Sequence, residues 1–236
     1  MKLNRFSSNI GVIACFSLAC TSSIADTYKH LAVNRYYQDD ACWCSVANIE
    51  MISDWIANEY SSRFSEQKKI AERYGIGEWN GASCVKDNGV IANGLGLHDV
   101  SSSLNYEIKN IKGISGYEFS EYLAASSSLP TLIASNVYDG NPVILLSYTV
   151  YKTSKPKRNM GHYFTIDAIY SSVSEAEFSS SDVEYFYVND PAYGSPHTVN
   201  VDSISPRTAV SKYTLLNKYA ADVSGKHAFI TNKYAN

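Results

Sequence analysis

The chain has 236 residues, of which 45% are hydrophobic and 18% charged. It can therefore bury a sizeable core as one large domain or two small ones, and it is not a disordered tail, a collagen-like repeat or a disulfide-stapled mini-domain. A formal net charge of -3 gives no electrostatic basis for nucleic acid or an anionic membrane as the main partner.

Residues 1–25 read as an export signal. Lys2 and Arg5 form a short basic start, an apolar run follows over 10–19, and Ser23-Ile24-Ala25 supplies small residues where a signal peptidase reads. The run is too short for a spanning helix, which needs about 20 apolar residues. Val12-Ile13-Ala14-Cys15 resembles a lipobox, but the apolar stretch before it is very short. Cleavage after Ala25 would leave Asp26 as the amino terminus of a secreted or periplasmic bacterial protein, with 26–236 as one domain. Loss of Lys2 and Arg5 takes the net charge from -3 to -5, and loss of Cys15 and Cys20 leaves Cys42, Cys44 and Cys84. In an oxidising compartment, an odd cysteine either pairs between chains or stays a thiol with a task.

Along the mature chain, helical spacing covers 45–60, with Ile49, Ile52, Ile56 and Tyr60 on one broad apolar face. A second helix is predicted over 66–74, capped by Ser65 and stopped by Gly75. Weaker helical patterns cover 97–105, 117–125 and 130–138. The turn Asp139-Gly140-Asn141 marks a change to β-branched and aromatic runs at 142–151, 162–170, 183–189 and 197–201, and Phe229-Ile230-Thr231 reads as a returning strand. Helices followed by strands predict an α+β fold, a helical subdomain packed on an antiparallel sheet with a cleft between the layers.

Three short segments carry chemistry. Gln38-Asp39-Asp40-Ala41-Cys42-Trp43-Cys44-Ser45 leads into the first long helix. A cysteine there faces the positive end of the helix dipole, which favours thiolate. Gly161-His162 opens a strand, and Asn189-Asp190-Pro191 ends another. A thiol, an imidazole to activate it and an acid or amide to orient that imidazole are the parts of nucleophilic acyl transfer. Glycine before His162 lets a substrate approach the ring.

These segments resemble the papain-like cysteine proteases, in particular the bacterial branch of leader-processing (double-glycine type) peptidases and papain-like effector proteases. The resemblance rests on Gln38 six residues before Cys44, the Trp43-Cys44 pair, Gly161-His162, and Asp190-Pro191 followed by Gly194. Asn141-Pro142 before the sheet and Gln67 on the second helix add to it. It implies a papain-like fold with a secreted cysteine endopeptidase activity. Cys44 would be the nucleophile, His162 the general base and then acid, Asp190 the orienting acid, and Gln38 an oxyanion donor beside the Cys44 N–H. No cofactor or metal is implied. The expected partner is a protein or peptide substrate, with no nucleic acid and no membrane after signal removal, and the protein is expected to be a monomer.

Two alternatives stay open at this level. Cys42-Trp43 also resembles the nucleophile pair of papain itself, and Asn189 could replace Asp190, since papain orients its histidine with an amide. If Cys44 is the nucleophile, Cys42 can pair with Cys84; if Cys42 is, Cys44 pairs with Cys84 or packs in the helix. Asp167 lies on the same strand as His162 and is too close to orient it, while His30, His98, His197 and His227 lack motif context. Lys152, Lys155, Lys157 and Arg158 read as a solvated turn. The same triad would also serve an acyltransferase, a deamidase or a peptidoglycan amidase, and the scaffold could be an inactive binding module. Only a short segment separates the cleavage site from Gln38, so no long pro-domain is expected.

Overall fold

The computed structural model describes residues 26–60, 64–81, 83–91, 94–150, 159–195, 204–205 and 208–233. The export segment, the basic turn at 152–158 and the strand expected at 197–201 lie outside the described residues.

Among the described residues the main elements are β1 (Thr27–His30), α1 (Cys44–Ala57), α2 (Phe64–Tyr74), β2 (Glu78–Trp79), β3 (Cys84–Val85), α3 (Leu97–Tyr106), β4 (Phe119–Ala124), α4 (Leu129–Tyr138), β5 (Val143–Val150), β6 (Asn159–Ser171), β7 (Tyr185–Asn189), β8 (Ala209–Ser211), β9 (Asp222–Val223) and β10 (Lys226–Asn232). Eight strands form one antiparallel sheet in the order β4-β10-β5-β6-β7-β8, with β1 paired to β6 and β9 to β10, while β2 and β3 make a separate hairpin. Helices and a large antiparallel sheet make this the α+β, papain-like architecture.

The sheet is covered on both faces, and its strands alternate between two cores as a period of two requires. Ile144, Tyr163 and Ile230 join Val46, Ile49, Ile52, Ile70 and Leu104 in the core under α1, α2 and α3. Their neighbours Leu145, Phe164 and Phe229 join Ile133 and Val137 of α4 on the other face. Helices α1, α2 and α3 pack on one face of the sheet, and the other face takes α4. Its apolar residues Leu129, Ile133, Ala134 and Val137 have a core of their own to fill.

Helix α1 differs from the expected one-faced helix. Every residue from Cys44 to Asp54 is buried, because the sheet covers one side and α2 and α3 the other. A helix enclosed all round must satisfy its polar side chains internally. It stops at Asn58, which adopts the left-handed conformation that ends helices (φ 53). Helix α2 begins at Phe64, so Ser65 lies inside it rather than capping it, and Gly75 (φ +65) follows its end.

The clearest correction concerns 117–125. The spacing of Phe119, Tyr122 and Leu123 imitates a helix, yet this segment is strand β4, paired along its length with β10 from Phe119↔Asn232 to Ala124↔His227. Only Phe119 and Ala124 of the strand are buried, and Tyr122 stacks on Phe229 with ring centroids 5.4 Å apart. Long-range pairing overrides the local pattern.

Candidate active site

The site is assembled where the amino terminus of α1 meets the ends of β6 and β7. Cys42 and Cys84 form a disulfide, so Cys42 carries no thiol, and the bond ties the approach to α1 to the β2–β3 hairpin. Cys44, the first residue of α1, holds a free, buried thiol. The first N–H groups of any helix lack intrahelical partners, and Trp43, at the cap position, makes no side-chain cap bond here.

The segment before the helix is held from several sides. Asp40 Oδ1 accepts the Cys42 N–H at 2.8 Å, and both its oxygens accept the Trp79 N–H at 3.1 Å. The Trp43 indole is buried and donates to the Gly77 carbonyl at 3.1 Å. Gly77 has no room for a side chain, since a Cβ would lie 2.5 Å from the Val85 backbone. Gln67 of α2 clamps both flanks of Gln38: its amide donates to the Tyr37 carbonyl at 2.8 Å and its carbonyl accepts the Asp39 N–H at 3.0 Å.

Gln38 itself is locked to the loop after β7. Its N–H donates to the Pro191 carbonyl at 2.9 Å, and its carbonyl accepts the Ser195 hydroxyl at 2.6 Å. Its side-chain nitrogen donates to the Asp40 carbonyl at 2.9 Å, while its buried side-chain oxygen has no hydrogen-bond partner among the described residues.

His162 of β6 bridges the two sides. Its Nε2 lies 2.7 Å from Asp190 Oδ1, and Cys44 is near enough to act on the ring's proton affinity. Burial alone would lower the imidazole, but the charge and hydrogen bond of Asp190, joined by Cys44, outweigh it and push His162 up to about 10. Asp190 is fully engaged: Oδ1 also accepts the Ala192 N–H at 2.9 Å, and Oδ2 accepts the Ile204 N–H at 2.8 Å. Its neighbour Asn189 turns away from His162 and donates to the Val33 carbonyl at 3.3 Å. Asp167 does not reach His162 either; it lies 3.5 Å from His30. Gly161 is exposed, and a Cβ there would touch nothing closer than Leu146 at 4.0 Å, so packing does not demand glycine.

Sequence reasoning missed Asn48. One turn along α1 from Cys44, its amide nitrogen donates to the Cys44 carbonyl at 2.7 Å and to the Tyr163 carbonyl at 2.9 Å. An asparagine among the apolar residues of a buried helix was the available signal. Ser195 and Ile204, which hold Gln38 and Asp190, had no comparable mark. Tyr163, next to His162, is buried and donates its hydroxyl to the Leu95 carbonyl at 3.2 Å; burial first, then the nearby Cys44 charge, holds that phenol well above its ordinary value.

The arrangement can pass a proton from a thiol to an imidazole that a buried carboxylate keeps oriented. It contains the free thiol, the paired imidazole and the helix amino terminus that acyl-transfer chemistry draws on. No curated protein matches the chain. The Peptidase_C39 like family matches residues 30–226, a span that contains every residue of this site and more than half of the chain, and the protein belongs to that family of cysteine peptidases.

Proposed function

We propose that the protein is an exported cysteine endopeptidase that hydrolyses peptide bonds through Cys44, His162 and Asp190. The observation that carries this reading is the buried His162 ring, held by Asp190 at 2.7 Å and raised in its proton affinity by Asp190 and by the nearby free Cys44. His162, held at about 10, carries the proton of the pair, and the Cys44 sulfur attacks the scissile carbonyl. The carbonyl oxygen gains charge and is met by the Cys44 N–H and by the Gln38 amide, whose second N–H is not needed by the Asp40 carbonyl. His162 then protonates the leaving amine, and water releases the acyl group by the reverse steps. Gly161, exposed and with open space where a Cβ would stand, keeps this approach open.

Export is part of the proposal and rests on residues 1–25. The Cys42–Cys84 disulfide fits an oxidising compartment, and among the described residues no helix is long and apolar enough to cross a membrane. Placing Asp26 and Thr27 within the mature domain is supported by their bonds to it: the Tyr170 hydroxyl donates to Asp26 at 2.8 Å, and Thr27 donates twice to Val173.

The test is alkylation of the mature protein with iodoacetamide, followed by peptide mapping and by hydrolysis of an unfolded protein substrate. Label is expected on Cys44, with Cys42 and Cys84 recovered as a bridged pair and cleavage lost in Cys44→Ala. Loss of the Gln38 donor should lower turnover by roughly 10²–10³. A target that is deamidated or cross-linked while its chain stays uncut would replace the endopeptidase reading, and a Cys44→Ala variant that still cleaves would end it.

A further inference from the structure

Arg35 occupies an unusual position for a cation. Its guanidinium lies 4.4 Å from the ring centroid of Tyr37 and 5.6 Å from that of Tyr193, and its Nη1 donates to the Tyr193 carbonyl at 3.4 Å. Among the described residues no carboxylate pairs with it. In a chain of net negative charge, an arginine set against two aromatic rings, and without an anion among the described residues, is a preorganised site for one. Guanidinium presents several N–H donors in a rigid fork, so one bond to a carbonyl leaves others for a carboxylate.

The place of this group in the fold says which part of a substrate it meets. Tyr37 directly precedes Gln38, and Tyr193 lies in the loop that follows Asp190. The two segments are locked by the Gln38–Pro191 and Ser195–Gln38 hydrogen bonds (2.9 and 2.6 Å). Gly194 brings them closer still: its φ is +76, and a Cβ there would lie 2.9 Å from the Tyr37 ring. Tyr37 and Tyr193 are nonetheless exposed, at 43% and 38%, so the platform faces solvent. A leaving amine must lie against His162 to receive its proton, and Asp190 holds His162 from the side to which this loop belongs. Arg35 also borders a cavity of about 260 Å³ that includes Asp167, but Asp167 is committed to His30.

We propose that Arg35, fixed between Tyr37 and Tyr193, is a specificity-determining residue that receives an acidic side chain of the substrate on the carboxyl-terminal side of the scissile bond. The proposal rests on the endopeptidase reading above. Its substrate class is a polypeptide with Asp or Glu within the first few positions after the cut.

The experiment uses matched peptides that carry Glu, Gln or Lys at each of those positions, cleaved by the wild-type protein and by Arg35→Gln, Arg35→Glu and Arg35→Lys. The readout is the ratio of kcat/KM between peptides, which does not depend on the fraction of folded enzyme. At one position the wild type should favour Glu over Gln by about fivefold, the scale of a partly exposed charge pair, and added salt should erode the preference. Arg35→Gln should abolish it, Arg35→Glu should invert it towards Lys, and Arg35→Lys should keep a part of it. Preferences before the cut should not move. The same peptides are titrated against Cys44→Ala by fluorescence anisotropy, so that recognition is read without turnover. Differential binding without cleavage would fail the endopeptidase reading and leave the subsite standing. Equal ratios and equal binding of Glu and Gln peptides in the wild type and Arg35→Gln would overturn the subsite.

Discussion

The Thr165 hydroxyl donates to the side-chain oxygen of Asn48 at 2.6 Å, joining β6 to the buried helix α1 where neither residue is exposed at all. With the two bonds from the Asn48 amide to Cys44 and Tyr163, the asparagine is satisfied on every side and fixes the height of Cys44 relative to the strand that carries His162. Leaving such buried groups unpaired costs their full desolvation. Asn48→Ala should destabilise the protein by about 3 kcal/mol, read by urea unfolding, with Thr165→Val costing less because one bond is lost instead of three.

The Cys42–Cys84 bond closes a loop with a sequence separation of 42. Chain-entropy arguments assign such a loop about 4 kcal/mol. The double variant Cys42→Ser/Cys84→Ser leaves no new thiol and should lose that amount in denaturant unfolding. Alkylation of Cys44 should also slow under conditions where the variant is still folded, because the β2–β3 hairpin no longer steadies the approach to α1.

The proton on His162 couples the site to stability. The group is held at about 10 against an ordinary 6.5, so the folded protein binds the proton more tightly than the unfolded chain. That contribution is fully present below about pH 6.5, declines as pH rises and is gone above about 10. The melting temperature of the wild type relative to His162→Gln should therefore be highest near pH 6 and shrink steadily towards pH 10. A difference that grows with pH would contradict the assignment.

Asp167 behaves in the opposite sense. Burial raises its carboxyl from 3.8 to about 6, against the smaller pull of His30 and of hydrogen bonds from Asn189 and the backbone. The folded state then pays for ionisation as pH climbs from about 4 to above 6. Asp167→Asn should be more stable than the wild type at pH 8, by about 1–3 kcal/mol, and the gain should vanish near pH 4. Thermal melts at the two pH values decide it.

How much of this was legible in the sequence depends on the range over which each residue acts. Gln38, Cys44, His162 and Asp190 stand out because their chemistry sits in short motifs, and the structure brings these four segments together. Helices α3 and α4 and strands β5, β6 and β7 follow from local period and turn residues. Strand β4 did not, since its spacing mimics a helix and its pairing partner lies at the far end of the chain. Ser195 and Ile204 were silent as supports, because each acts on a residue that only the tertiary fold makes its neighbour, whereas Asn48 carried the one mark of a polar residue within an apolar helix. The extent of α1's burial was underestimated for a related reason: its polar residues looked like a solvent face, whereas Asn48 is satisfied by the sheet and Asp54 by the Tyr36 hydroxyl at 3.0 Å and Lys112 at 2.7 Å.

The position of β10 has a consequence for how the protein comes to exist. It lies between β4 and β5 in the sheet, with Phe229 opposite Tyr122 on one side and Leu145 on the other. Until residues 226–232 have emerged from the ribosome, β4 has no partner and stands apart from β5, β6, β7 and β8. Pairings this remote in sequence form late and slowly. A chain lacking residues 226–232 therefore keeps β4 outside the sheet, and the β4-β10-β5 edge closes only when they are in place.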